Sequence, residues 1–410
     1  MSSALRQKFP ATNGIRWFNL AILIITPLIG GYGLWRVNIR RETAYFAILS
    51  VPSLGGLKIV FLNEKLGYHR LWSHRSYNAS LVLQLFLLAG GTSASPPVHH
   101  RHTDTDLDPY NANRGLLWTH IGWMIFNSTL RSGPSDTSDL RKDSLLQRQH
   151  EHYFPLAIFF GYLLPTVIPG LLFNDWLGGL CFSGALRLTI AHHSTFCINS
   201  IAHWLGSSPY DDALTPRDHF LSAVLTMGEG YHNFHHQFPM DYRNAFMWYQ
   251  YDPTKWFIAI CGQIGLASDL RVFPSNEIAK GQLAMKLKEL KEMQDSLHWP
   301  RPVDELPVVT WETFQKEAKS RPLILVAGFI HDVSSFIEHH PGGKHQLVGN
   351  SGKDMTASFY GGVYAHSRAA HNLLSMMRVG ILDGGVETPL SSAPHSPPKQ
   401  WHIAVKEEVL

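Results

Sequence analysis

Apolar runs set the framework of this chain. Trp17 to Trp35 is almost wholly apolar and long enough to cross a bilayer as one helix. A polar segment carrying Arg6, Lys8 and Arg16 precedes it, and no small-residue cleavage site follows, so the run reads as an anchor and not as a signal peptide. Ala44 to Leu62 predicts a second span, weakened by Pro52, Gly55, Gly56 and Lys58. Leu81 to Gly91 is apolar over about half the length a span needs and reads as a re-entrant or interfacial piece. Pro155 to Phe173 and Trp176 to Ile190 predict a second pair of spans. Four spans put residues 69 to 102 and 203 to 236 on one side of the membrane, together with the N-terminus. Arg36, Arg40 and Arg41 fall in the opposite loop, so the positive-inside rule leaves the orientation open.

The pattern then changes. Residues 275 to 296 carry Leu, Met, Lys and Glu at helical spacing and predict an amphipathic linker helix, which Trp299-Pro-Arg-Pro-Val303 breaks. A soluble, mixed segment follows, and after Gly384 the chain turns rich in Ser and Pro and reads as a disordered tail. The expected organisation is an N-terminal segment (1–16), a membrane domain (17–274), a linker (275–303), a small soluble domain (304–383) and a tail (384–410). The fold class expected is mostly α: four transmembrane helices with a histidine-rich helical cap, followed by a small α+β domain.

Composition sharpens this only in places. Charged residues make up 16% of the chain, below the usual quarter, which favours membrane segments, while a mean hydropathy of −0.08 requires much of the chain to be wet. A formal net charge of +3 gives no case for nucleic acid. Three cysteines without a CxxC predict reduced thiols. The unusual number is 24 histidines, and only their spacing can separate ligands from ordinary surface residues.

Four segments stand out. Gly228-Glu-Gly-Tyr-His232-Asn-Phe-His235-His236 places three imidazoles at i, i+3 and i+4, on one face of a helix. His69-Arg-Leu-Trp-Ser-His74 spaces two histidines five apart, roughly 140° off on an α-helix, so they share a metal only at a helix end or distortion. Val98-His99-His100-Arg-His102 precedes an acidic run ending at Tyr110, and Asn199-Ser-Ile-Ala-His203 offers an amide and an imidazole at i, i+4. About eight neutral imidazoles on one side of a membrane suit more than one metal ion. Nitrogen ligands with open positions match iron that activates oxygen, whereas zinc closes with four ligands and needs fewer.

These segments, with Thr103-Asp-Thr-Asp-Leu-Asp-Pro-Tyr110 and Trp248-Tyr-Gln-Tyr-Asp-Pro-Thr-Lys-Trp256, resemble the membrane acyl-CoA Δ9-desaturases, especially the fungal form. The resemblance covers about residues 15 to 270. It implies a four-span endoplasmic-reticulum enzyme whose cytosolic cap holds two irons. With O2 and two electrons it places a cis double bond between carbons 9 and 10 of stearoyl- or palmitoyl-CoA. It implies His69, His74, His99, His100, His203, His232, His235 and His236 as iron ligands and Asn199 as a ligand through water. His192 and His193 sit in a matching stretch but are not ligands in the family; His102 stands where the family usually has an aromatic residue, and the resemblance assigns no role to His102 or His120.

The sequence departs from the family around the second box and just before the first. The family's second box reads His-Arg-x-His-His; here the downstream acidic run fixes the register so that the first His falls on Pro96, which cannot ligate. The segment before it is shorter than the family's, and Asn63-Glu-Lys65 is polar where relatives are apolar. The rival readings are therefore an impaired paralogue or mis-predicted gene product serving at most as a membrane-anchored haem electron carrier, and another histidine-box lipid hydroxylase or desaturase.

The haem reading comes from the soluble segment. Ile337-Glu-His339-His340-Pro-Gly-Gly343 is followed by Ala365-His366-Ser-Arg-Ala-Ala-His371; two histidines about 26 residues apart can clamp a haem from both faces. Residues 305 to 383 are similar to cytochrome b5. That similarity implies His340 and His366 as axial ligands of haem b, in preference to His339 and His371, and a cytochrome b5 reductase as electron source.

Overall fold

The computed structural model describes residues 12–50, 64–90, 98–128, 138, 140–361 and 365–385. Pro96, most of the shortened segment before His99, the second half of the expected second span and the tail beyond Gly385 lie outside the described residues, as does the side chain of His99. The chain divides into two units, Met1–Leu290 and Lys291–Leu410, with the division falling inside the helix expected as a linker.

The first unit is helical. α1 (Trp17–Arg36) packs on the helical segment Gly179–Leu186. Small residues permit that approach: a Cβ on Gly33 would meet Cys181 at 2.5 Å, and one on Gly30 would meet the Leu186 backbone at 3.0 Å. α1 otherwise shows its apolar side chains to the outside, with Trp17, Leu28, Leu34 and Trp35 all well exposed. α2 (Arg41–Ser50) is tied to the far end of the bundle by Thr43 Oγ1, which donates to Asp175 Oδ2 at 2.6 Å. Among the described residues two helices are long and apolar enough to cross a membrane, Trp17–Arg36 and Tyr153–Phe173 (α6 below). The segment expected as the fourth span continues through Gly179–Leu186 into a longer helix ending at Asn199.

The polar half of this unit is built from shorter pieces. α3 (Glu64–Ser73) has π-helical winding, and α4 (Leu81–Gly90) is a ten-residue helix that buries Leu83, Leu87 and Leu88 against Leu66 and Trp72 of α3 and Ile258 and Cys261 of a later helix. Its Leu81, Val82 and Leu85 stay exposed, the two-faced character of an interfacial piece. α5 (Val98–His102), α6 (Tyr153–Phe173), α7 (Arg187–Asn199), α8 (His232–Gln237) and α9 (Pro253–Gln263) follow, and α10 (Ser275–Ser296) starts with Ile278 buried among Tyr210, Phe234 and Phe238.

The second unit is a small α+β fold. Its four-stranded sheet runs β1 (Val308–Val309), β4 (Arg378–Leu382), β3 (Phe329–Asp332), β2 (Leu323–Val326), with β1 parallel to β4 and the other neighbours antiparallel. The β2–β3 hairpin turns on Ala327 and Gly328, both at positive φ, as a tight turn matched to strand twist requires. β2 is buried on both faces: Leu323 and Leu325 pack with Phe314 and Ile330, and Ile324 and Val326 pack with Val333.

Candidate metal centre and haem site

The five-residue spacing of the first box is resolved by local backbone geometry. His74 N donates to His69 O at 3.0 Å, an i to i+5 bond, so the wide winding of α3 carries both rings to one side. Arg75 then takes φ 51° and Ser76 N reaches back to Arg70 O at 2.9 Å, closing the helix end. The last box sits on α8. A remote carboxylate starts this helix: Asp218 Oδ1 accepts from Asn233 N at 2.8 Å and Phe234 N at 3.1 Å. Burial pushes the Asp218 carboxyl up to about 7, and those two donors oppose the rise. Gly230 lets the turn pass against the next segment, since a Cβ there would lie 2.0 Å from Ala223 N.

The histidines assemble into two groups. His69, His74, His100 and His235 form one, and His203, His232 and His236 the other; within each group the candidate ligand atoms all lie within 4.8 Å of one another. His69 Nε2 and His235 Nε2 are 2.7 Å apart, His235 Nε2 and His100 Nε2 3.3 Å, and His236 Nε2 and His232 Nε2 3.1 Å. α8 is thus shared. Its i, i+4 pair belongs to one group and His235 to the other, a division between two groups that the spacing alone did not specify. The groups abut where the rings of His100 and His236 lie 4.4 Å apart.

Seven imidazoles converging without a carboxylate among them make a set fit for cations. His74 Nε2 is sealed from solvent with no hydrogen-bond partner among the described residues. Burial, reinforced by the Arg70 charge, pushes His74 down to about 4. Burial and the neighbouring imidazoles hold His100 and His235 well below the ordinary value. Such rings are neutral at pH 7 and so able to ligate. His74 has its folded pKa depressed from 6.5 to about 4, so its stabilising contribution is complete above about 6.5 and is lost as pH falls through about 4. Metal-free protein is expected to lose about 3 kcal/mol from this group across that window, read as a falling melting temperature in a pH series.

Arg70, between the two histidines of the first box, is a structural centre that sequence reasoning missed. Its Nη2 donates to Glu229 Oε1 at 2.9 Å and Asp252 Oδ1 at 3.3 Å, and its Nη1 to Tyr242 O at 2.7 Å; Arg70, Glu229 and Asp252 are all buried. The first box is thereby bolted to the last. The only sequence signal was an acidic residue, Glu229, held between two glycines.

Other expected residues fall elsewhere. Asn199 ends α7, half-buried, four residues before His203. His102 closes α5 and belongs to neither group. His120 hydrogen-bonds to Ser200 Oγ at 2.8 Å and stacks on His193 with ring centroids 5.3 Å apart, and His192 stacks on Phe196; these three lie outside both groups.

In the second unit, His340 Nδ1 lies 3.2 Å from Gly343 O and His366 Nδ1 lies 2.9 Å from Phe359 O. In each neutral ring Nδ1 carries the proton and donates it to the carbonyl, leaving Nε2 as the lone-pair nitrogen a haem iron requires. Gly342 leaves room for the His340 ring, because a Cβ there would stand 2.8 Å from its Cε1. His371 packs edge-on against Phe359, and His339 is exposed.

Residues 67–267 match the model of the family described as fatty acid desaturase. A probable acyl-CoA desaturase of Schizosaccharomyces pombe is 44% identical over 384 residues, covering 91% of this chain and 78% of that protein. The chain belongs to the fatty acid desaturase family. Acyl-CoA desaturase 1 of Saccharomyces cerevisiae is 40% identical over 90% of the desaturase chain and 74% of its own length. Delta(9)-fatty-acid desaturase fat-6 of Caenorhabditis elegans is 34% identical over 64% of the chain, 81% of its own length. Residues 310–383 match the cytochrome b5-like heme/steroid binding domain. The protein is an oxidoreductase of lipid metabolism that joins a di-iron desaturase domain to a haem domain, and the family's proteins are membrane proteins.

Proposed function

We propose that this desaturase is an acyl-CoA Δ9-desaturase of the endoplasmic-reticulum membrane, placing a cis double bond between carbons 9 and 10 of stearoyl- or palmitoyl-CoA. The observation that carries the reading is the pair of abutting imidazole groups sharing one helix inside the family-matched segment. Their ligands are His69, His74, His99, His100, His203, His232, His235 and His236, with Asn199 acting through water. His340 and His366 hold the haem. Four spans, with the termini and the histidines on the cytosolic side, accord with the two long apolar helices and with the split of polar from apolar halves. The working division is a membrane domain over 17–274, a linker to 303, a haem domain over 304–383 and a tail beyond.

When bound, the iron pair supplies oxygen activation and hydrogen removal from the acyl chain. The chain's own residues do the rest. Burial keeps the His74, His100 and His235 rings neutral, Arg70 fixes the distance between two boxes, and the covalently joined haem domain raises the local concentration of the electron donor. Cytochrome b5 reductase is the source of those electrons.

The test is expression in a cell that lacks Δ9 desaturation, with acyl chains analysed by double-bond position. Growth without supplied oleate and appearance of cis-9 products is the expected result; a hydroxylated chain, or a double bond elsewhere, refutes it. His340→Ala in the full chain is expected to remove the bis-imidazole haem spectrum and the products together.

A further inference from the structure

The acidic run after the second box has served so far only to fix a register, yet the fold places it behind the second imidazole group. Asp104 Oδ1 accepts from Thr215 Oγ1 at 2.7 Å, and its Oδ2 accepts from Thr215 N at 2.6 Å. Thr215 Oγ1 in turn lies 2.7 Å from His203 Nδ1. The neighbouring Thr103 Oγ1 lies 3.4 Å from His236 Nδ1. Two adjacent residues thus reach the outer nitrogens of two of the three histidines, one of them through Thr215.

The proton positions along this chain follow from the donor inventory. A carboxylate only accepts, so the Thr215 hydroxyl hydrogen is committed to Asp104. Thr215 Oγ1 can then meet His203 Nδ1 only as an acceptor, which puts the ring proton on Nδ1 and the lone pair on Nε2. Asp104 holds φ 64°, in the left-handed region that costs most side chains energy and that Asp and Asn tolerate best. Its backbone N also donates to Asp108 Oδ2 at 3.2 Å, so the carboxylate is aimed from both ends.

We infer that Asp104 and Thr215 are positioning residues for the second metal, setting the tautomer and ring orientation of His203. The inference rests on the proposed ligand role of His203, and the test separates the two. Asp104→Asn keeps the shape and the left-handed backbone. Its amide NH2 would donate to Thr215 Oγ1 and release the hydroxyl hydrogen towards His203 Nδ1, which drives the proton to Nε2 and spoils the ligand.

Iron(II) binding to the detergent-solubilised full chain is measured by competition with a chromophoric chelator. Asp104→Asn and Thr215→Val are expected to weaken one of two sites by about 10- to 100-fold, and Thr215→Ser to stay within about threefold of the parent. Metal-free melting temperature and haem absorbance report folding. Should Asp104→Asn fail to fold, the Thr215→Val and Thr215→Ser pair decides alone. If His203→Ala loses one iron while Asp104→Asn or Thr215→Val binds two as tightly as the parent, the positioning role is wrong. If His203→Ala keeps both irons, the ligand assignment itself is wrong and this inference goes with it.

Discussion

Replacing Arg70 by alanine is expected to destabilise the membrane unit by about 3–5 kcal/mol. The guanidinium is almost fully buried, and both carboxylates it meets, Glu229 and Asp252, are 2% exposed or less. Burial works against its charge, and Asp252 and Glu229 outweigh burial and raise its pKa. Truncation leaves two carboxylates in the interior without their cation. Asp252 retains Asn244 N at 2.7 Å and Lys255 N at 3.0 Å, so the heavier penalty falls on Glu229. That residue lies three positions before His232, while Arg70 follows His69 directly, so relaxation of the pair moves rings in both imidazole groups. Arg70→Lys restores a charge but lacks the fork that spans three acceptors, and only part of the loss is recovered. Thermal unfolding in detergent checks this; a variant melting within about 1 kcal/mol of the parent would show that the cluster contributes little.

What the chain disclosed in advance was mostly chemistry held in residue identity. Histidine spacing, the Pro-Gly-Gly after His340 and the long apolar runs can be read without knowing a neighbour. The five-residue gap between His69 and His74 already required a distorted helix, and the i to i+5 bond supplies one. Three features stayed hidden because they depend on segments far apart in sequence. The division of α8 between two groups arises from α3 and α5 approaching one side and His203 the other. The burial of Arg70 needs Glu229 and Asp252, each more than 150 residues away. Thr215 has no signal at all: a lone threonine in a loop becomes a partner of His203 only after folding. The second candidate span was marginal for a different reason: Pro52, Gly55, Gly56 and Lys58 break its apolar run in sequence, and those positions lie outside the described residues.

His235→Ala is expected to abolish desaturation while leaving the haem spectrum and half of the metal centre in place. His235 Nε2 lies 2.7 Å from His69 Nε2 and 3.3 Å from His100 Nε2, so it is the central member of the first group. Its removal leaves three imidazoles there and opens the space between the two that it touched. The second group is insulated from the loss. Asp218 still caps α8 through Asn233 N and Phe234 N, and Thr215 still holds His203. Iron content is therefore expected to fall from two towards one per chain, with product at background. His236→Ala is expected to give the same stoichiometry from the opposite group, and the double variant to lose both irons. Because α8 serves both groups, the alternative is a concerted loss in which either single variant empties the whole centre. His235→Ala holding two irons, or still making product, would remove His235 from the ligand set, and the same result for His236→Ala would remove His236. Emptying of both sites by one substitution would instead show that the groups load as one unit, coupled through the contact of His100 with His236.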